Sequence, residues 1–507
     1  MADLAEPMAV PEVGVRSWVL PVSRGRAVVR AWPAVRRFLL VLVALYVLKQ
    51  GLYVVAFRPF SGHDEVAHYS YLRTVATQGR VPVLPDLQTW RQSVTSGREA
   101  TVDLLPDELY PYCRYTLDWF CQPEKLQWAL HPPHMVTLLG SYYPSGYQYA
   151  ANHPPLYYLL MTPLYWASHG LSPVTQQYLL RLTAIPLGLA TVMLAFLLTR
   201  TLFPGDTFLA VTVPTFVALQ PQISYETAMV NNDILCIALY SWILYLLVVG
   251  LRDRFPARTC VLLGFVFGLA LLAKGTSATA APVIALAIVL GSGWRSIGGW
   301  VRRGALVVAP AAILAAPWYA FLYRTYGNFD GLAQVERLQY WNRPAGTFIG
   351  LLVSRDFIVM RFRETWGEFG WRLIHLTPTL LWAIAIPLVV AVAGLVLYLV
   401  TPRREPAAPL DPVRHPTRWQ WQALIVLAAT CVVAYLAVVQ FGTQFALTQA
   451  RYFFPAVNAA ALLLMLGLRT VVPRRYHAYA QGILFAALIL LNVVIFTQYV
   501  IPHYLSI

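Results

Sequence analysis

The sequence predicts an all-α polytopic membrane protein of about eleven transmembrane helices, with its N-terminus inside and its C-terminus outside. Three observations carry that prediction. The chain of 507 residues is 58% hydrophobic and 12% charged, where a soluble domain has roughly 25% charged residues, and its mean hydropathy is +0.56. Apolar runs at or near the ~20 residues a spanning helix needs occur at 38–57, 179–202, 207–224, 232–251, 259–275, 276–294, 303–323, 378–401, 421–441, 453–470 and 481–501. Arginine clusters fall beside alternate runs, as the positive-inside rule expects.

Taken in order, residues 1–37 are Arg-rich and broken by prolines, and show no cleavage site after the first apolar run. They read as a cytoplasmic tail. Arg36 and Arg37 hold the start of the first span inside. "LRDRFPAR" (251–258), "WRSIGGWVRR" (294–303), "TPRREP" (401–406) and "VVPRRYH" (471–477) then also fall inside. One segment would break the alternation if it crossed: "HPPLYYLLMTPLYWASHG" (153–170). It is short, with prolines at both ends and one within, and reads as a Tyr- and Trp-rich helix lying at the outer interface. The transmembrane domain is therefore 38–501, with a tail at 502–507.

Two long outer loops result, 58–178 and 324–377, both rich in aromatic residues. Loops of this length in a compact protein are usually functional, whereas the inner loop 402–420 is a Pro-rich linker. The working face is the outer one. The net charge of +15 lies mostly in the topology clusters and does not indicate nucleic acid. No Gly-rich phosphate loop occurs, nor the repeated broken helices of a transporter. Cys113 and Cys121 share the first outer loop and are either a disulfide or two thiols. Cys236, Cys260 and Cys431 lie in spans, as core residues do.

Four stretches at the outer boundary could carry chemistry. "FSGHDEVAHYS" (60–70) holds Asp64, Glu65 and His68 just past the first span. A carboxylate there can act as a general base, and Asp64 with His68, four apart on a helix, could hold a divalent metal. The alternative is a helix cap with acids in its first turn. "MVNNDILCIALYSWILYLL" (229–247) puts Asp233 at the outer end of a span, again a chemical group or a cap. "LALLAKGTSATAAP" (269–282) isolates Lys274 between apolar runs, where a charge costs about 2.5–3.5 kcal/mol on insertion scales. It can pair with Asp233, bind an anion or snorkel. "FALTQARYFFPAV" (445–457) places Arg451 at the start of a span, and the second loop adds Arg337. Arginine suits phosphate because its planar fork engages two oxygens. Acids and bases gathered at one lipid–water boundary suit a lipid with a phosphate head group.

These motifs, in this order, resemble the membrane-embedded glycosyltransferases of the GT-C type over about residues 38–501. That type includes the protein O-mannosyltransferases and the bacterial transferase that adds aminoarabinose to lipid A. "HDEVAHYSYLRTVATQGRVPVLPD" looks like the first-loop acidic motif, "NHPPLYYLL" like the juxtamembrane motif and "AMVNNDILCIAL" like the second acidic position. "GLALLAKGTSATAAP" looks like the lysine-containing turn and "QARYFFPA" like the late outer motif. "DEVAH", "WGEFGW" and "ARYFFP" also resemble a less characterised bacterial branch.

The resemblance implies a GT-C fold and transfer of a sugar from a polyprenyl-phosphate donor, on the outer side of the plasma or inner membrane. The acceptor would be a glycan, a lipid or a protein, and the anomeric centre would invert. Asp64 would be the catalytic carboxylate, assisted by Glu65 and supported by Asp233. Lys274, Arg451, His153 and Arg337 would bind the donor phosphate. Two departures stand out. Asn152-His153-Pro154 replaces the Glu-Lys-Pro of the aminoarabinose transferase, and Glu336-Arg337 replaces a Glu-His pair tied to a metal, so metal ligation is not carried over to those positions. A flippase or transporter, and a glycan ligase or polymerase, are the competing readings for a lipid-linked anionic substrate.

Overall fold

The computed structural model describes residues 26–84, 148–338, 344–401, 413–446 and 448–505, the side chains of 26–32 and 336–338 excepted. Helix α1 (Arg26–Ala56) carries the first apolar run and begins ahead of Arg36 and Arg37. A turn leads to α2 (Glu65–Gln78), which ends on Gly79 in the left-handed conformation that glycine adopts without strain. Then follow α3 (Leu156–Ala167), α4 (Pro173–Leu182) and α5 (Ala184–Leu202). Pro173 opens α4 behind the Ser172 cap.

Next come α6 (Thr207–Leu219), α7 (Pro221–Glu226), α8 (Asp233–Asp253) and α9 (Ala257–Ala273). A 3₁₀ turn, Gly275–Thr279, leads into α10 (Ala280–Ser292), and α11 (Ile297–Tyr326) follows. The second long loop folds as α12 (Leu332–Leu338), α13 (Phe348–Val353), α14 (Arg355–Trp366) and an antiparallel ribbon of β1 (Glu368–Phe369) and β2 (Ile374–His375). In the ribbon Glu368 stands opposite His375. The chain finishes with α15 (Pro378–Val400), α16 (Arg418–Gly442), a 3₁₀ turn Ala450–Ala456, α17 (Val457–Val471), α18 (His477–Ile495) and α19 (Ile501–Leu505).

Among the described residues, nine helical stretches are long and apolar enough to cross a membrane, and α6 and α9 are shorter apolar helices beside them. They fall within or across the runs expected from the sequence, with two of those runs forming only the shorter helices α6 and α9. The run expected at 207–224 is not one helix: α6 stops at Leu219, because Gln220 turns extended and its side chain caps α7, with Pro221 at the first helical position. At 1.5 Å per residue, the 13 residues of α6 and the 17 of α9 reach roughly 20 and 26 Å, short of the ~30 Å hydrocarbon core. Segment 153–170 forms only the 12-residue α3. Arg337 lies on α12, but its side chain is outside the described residues, as are Arg343, Cys113 and Cys121. Cys236 and Cys260 are buried and Cys431 half-buried, all as thiols.

Side-chain contacts show that alternate helix ends meet. At one end Asp206 pairs with Arg469 at 2.6 Å, Gln420 donates to Leu202 O and Gln422 to Leu290 O, and Arg303 donates to Ser292 Oγ. At the other end Asn232 donates to Ala273 O at 3.0 Å and Arg181 reaches Glu65 at 2.5 Å. The shortened ends of α6 and α9 both lie at this second end. Two helix pairs pack backbone to backbone through glycine, as helices in lipid commonly do. A Cβ on Gly467 would strike the Ala391 carbonyl, and one on Gly264 the Val307 carbonyl. Helix α8 is central, whereas α15 turns Trp382, Ile386, Val389 and Val400 outward.

Candidate active site

Four charged side chains from four separate elements form one alternating row. Lys274 ends α9 with an extended backbone, so its side chain leaves the helix and turns inward, where it is buried. Its Nζ donates to Asp233 Oδ1 at 2.6 Å. Asp233 Oδ2 lies 3.5 Å from Arg451 Nη1, and Arg451 Nη2 donates to Asp64 Oδ2. The row Lys274, Asp233, Arg451, Asp64 sums to no net charge. Lys274 and Arg451 both lie over the Tyr452 ring, 5.4 and 5.6 Å from its centroid.

The cap alternative holds by position only, with Asp64 at the N-cap of α2 and Glu65 and Asp233 in the first turns of α2 and α8; neither aspartate side chain makes a capping bond. Asp64 precedes α2 in the left-handed conformation, φ 58°, and caps nothing with its side chain. An aspartate tolerates this conformation better than most residues, yet it is uncommon and concentrates at functional sites. It swings the carboxylate out of the α2 start toward Arg451. Asp233 is the first residue of α8 rather than its cap. Lys274 is paired and does not snorkel.

Glu65 points the other way. Both of its oxygens are taken: Oε1 by Arg181 Nε, Gln177 Nε2 and Val230 N, Oε2 by Arg181 Nη2 and Gly62 N, all within 3.0 Å. It is fully buried. Arg181 also donates to the carbonyls of Val54, Phe57 and Arg58, so this pair holds the end of α1 to the start of α2.

A cavity of about 540 Å³ opens on the row. Asp64, His153, Lys274 and Arg451 line its polar side, and Trp318, Leu322, Phe441 and Phe445 belong to its apolar side. One fifth of the Asp64 side chain remains accessible, enough to meet a ligand. Tyr149 OH donates to Asp64 Oδ1 at 3.3 Å. His68 does not line the cavity; its Nδ1 bonds Tyr158 OH at 2.8 Å, and its ring lies 5.7 Å from that of His153. Burial would lift the Asp64 carboxyl, but Arg451, with His68 and His63 behind it, holds it well below the usual carboxylate range. Burial pushes the His68 imidazole down to about 4, although Asp64 pulls the other way. His153 falls well below its ordinary value through burial and the charge of Lys274.

The expected metal pair, Asp64 and His68, does not fit a cation. Arg451 and Tyr149 already occupy the Asp64 oxygens, and the described residues contain no group of three or more His, Cys, Asp or Glu side chains that could hold an ion. Sequence reasoning did not single out four contributors. Tyr149 comes from the loop just ahead of His153. His63 Nδ1 bonds Glu226 Oε1 at 2.7 Å beneath the row. Glu364 on α14 fixes the backbone ahead of Arg451 by accepting from Ala450 N. Trp371 lines the cavity from the ribbon turn. Of these, His63 stands inside "FSGHDEVAHYS" (60–70), and Glu364 and Trp371 belong to the aromatic and acidic cluster "RETWGEFGW" (363–371) in a long loop.

Residues 48–463 match the family described as "Predicted membrane protein (DUF2142)". No curated protein matches the chain. Among solved structures, it is similar to the apo oligosaccharyltransferase of Archaeoglobus fulgidus, at 13% identity and TM-score 0.44, over 90% of this chain and 54% of that one. The chain thus spans about half the length of that protein. The same archaeal protein in complex with an inhibitory peptide and a dolichol-phosphate gives 13% identity and TM-score 0.42, over 90% and 55%. ArnT from Cupriavidus metallidurans bound to undecaprenyl phosphate gives 13% and 0.34, over 85% and 77%.

Proposed function

The chain belongs to the DUF2142 family of membrane proteins, and we propose that it is a glycosyltransferase moving a sugar from a polyprenyl-phosphate donor to an acceptor at the extracytoplasmic face. The observation that carries this reading is the row Lys274, Asp233, Arg451, Asp64 along a cavity with apolar and aromatic walls. Cations beside an apolar space suit a lipid phosphate, and a carboxylate beside them suits an acceptor proton. Among the described residues, the clusters at 251–258, 294–303 and 471–477 that the positive-inside rule assigns to the cytoplasm lie at the opposite end of the bundle, around Arg303 and Arg469, which supports an outward-facing site.

In the resting row Asp64 is a weak base, because Arg451 holds its proton affinity down. Donor phosphate oxygens compete for Arg451 and Lys274, and each cation they draw away raises the basicity of the carboxylate left behind. Asp64 then takes the proton of the acceptor O–H or N–H as that atom bonds the anomeric carbon. The bond from that carbon to the phosphate oxygen breaks, and its electron pair leaves on the phosphate. Arg451 and Lys274 stabilise the developing charge. A single displacement of this kind inverts the anomeric centre. Asp233 keeps the two cations apart and oriented, and Glu65 acts only by fixing the turn that presents Asp64. His153 flanks the phosphate as a neutral ring.

The test is Asp64→Asn in membranes supplied with labelled polyprenyl-phosphate sugar. Loss of a general base costs about 10²–10⁴ in rate, so transfer falls by at least about 100-fold while donor binding persists. Transfer at the wild-type rate overturns the reading.

A further inference from the structure

We propose that Trp371 is a substrate-binding residue whose indole N–H donates to an oxygen of the ligand beside Asp64; this rests on the glycosyltransferase reading above. The residue sits at the tip of the β1–β2 ribbon, where Gly370, Trp371 and Arg372 are all left-handed, with φ of 56°, 57° and 69°. For a bulky residue such as tryptophan this backbone is a genuine outlier, retained only where the surroundings enforce it.

The surroundings do enforce it. Gln222 on α7 bonds Glu368 in both directions, donating to its carbonyl at 2.8 Å and accepting from its N–H at 3.0 Å. Arg372 spans Glu364 and Glu368, at 2.8 and 3.1 Å. The Trp371 backbone N–H donates to Tyr225 OH at 3.2 Å, and Tyr225 OH donates to Ser61 O at 2.8 Å. This last relay ties the ribbon tip to the turn that carries Asp64, three residues after Ser61. The Trp371 ring also lies 6.0 Å from His63.

Against this fixed frame, the indole N–H has no partner among the described residues, although Trp371 is only 8% exposed and lines the cavity. Buried polar groups are paired in nearly all native structures, and an orphan calls for an explanation. A second cavity-lining indole, that of Trp318, is unpartnered in the same way. Arg451, in the same lining, also keeps Nε and Nη1 without a hydrogen bond, so the two neutral indole donors stand beside unfilled donors of the cationic row. Two donors without acceptors select an oxygen-rich ligand, through either its phosphate or its sugar hydroxyls.

Binding of two probes, undecaprenyl phosphate and undecaprenyl-phosphate-linked hexose, separates these sources in purified wild type and in Trp371→Phe. A shared loss of about tenfold, the size expected for one hydrogen bond to a buried donor, assigns the N–H to the phosphate. A loss confined to the sugar-bearing probe assigns it to the sugar. Unchanged affinity for both, with wild-type binding intact, overturns the role of Trp371 alone. Failure of the wild type to bind either probe overturns this proposal together with the glycosyltransferase reading. Where Trp371→Phe does not fold, benzothienylalanine at position 371, which keeps the ring shape and replaces N–H by sulfur, gives the same comparison.

Discussion

Glu364 accepts a hydrogen bond of 2.8 Å from the backbone N–H of Ala450, the residue immediately before Arg451. Arg361, one helical turn earlier on α14, donates to the Thr448 carbonyl. The second long loop therefore grips, from both sides, the short segment that delivers the guanidinium to Asp64 and Asp233. Glu364→Ala is expected to leave that N–H without its partner and Arg372 with Glu368 alone, which costs about 1–3 kcal/mol, and to lower transfer about tenfold by shifting Arg451. Parallel thermal melting and transfer assays check this; an unchanged rate would mean that α14 does not set the position of Arg451.

Glu65 and Asp64 are neighbours with opposite expected phenotypes. Removing one partner of a buried ion pair costs about 3–5 kcal/mol, so Glu65→Ala lowers the melting temperature and the yield of folded protein. Rates per folded molecule fall much less than with Asp64→Asn. Active-site titration of the purified variants separates the two effects.

Lys274→Met removes one cation of the row and leaves Asp233 facing Arg451 alone, 3.5 Å away. Affinity for undecaprenyl phosphate is expected to fall by 10- to 100-fold, about 1.4–2.8 kcal/mol, with partial recovery in Lys274→Arg. Isothermal binding measurements report this directly, and equal affinities for Lys274→Met and wild type would remove Lys274 from the phosphate site.

The contribution of His68 to stability should fall on mild acidification. The folded pKa of His68 lies near 4, below the ~6.5 of an unfolded histidine. As pH drops from about 6.5 to about 4, the unfolded chain takes up a proton that the folded chain refuses, and stability declines by up to about 1.4 kcal/mol per pH unit. His153 contributes in the same direction. Asp64 acts elsewhere: its folded pKa is depressed, so its contribution is full above about 3.9 and is lost only as pH falls through the folded value. Melting curves between pH 4 and 7 should flatten in His68→Asn and flatten further when His153→Asn is added.

Much of this arrangement was legible in the sequence, for identifiable reasons. Lys274 stands between apolar runs, and only a function or a partner retains such a charge. Asp233 and Arg451 sit at span boundaries that the arginine alternation assigns to one side. What the sequence hides is direction. Asp64 and Glu65 look equivalent on paper, but a left-handed backbone at one position sends the first to the cavity and leaves the second facing Arg181, 116 residues away. Long-range partners of this kind follow no local period. The same holds for Tyr149 and Glu364, whose roles come from how loops fold over the bundle. The break after Leu219 was obscured because "VALQPQISYE" (217–226) stays uncharged until its last residue, so hydropathy runs through it.

The spacing of the charged row along the chain also bears on how the protein reaches its bilayer. Lys274 and Asp233 are 41 residues apart on consecutive helices, so the α8–α9 hairpin enters lipid with its own counter-ion and can be released early. Asp64 and Arg451 are separated by 387 residues, and synthesis of nearly the whole chain intervenes before the two can join. Truncated nascent chains ending before residue 451 would therefore hold an unmatched carboxylate at the membrane surface, a signature by which quality-control machinery could distinguish unfinished molecules from finished ones.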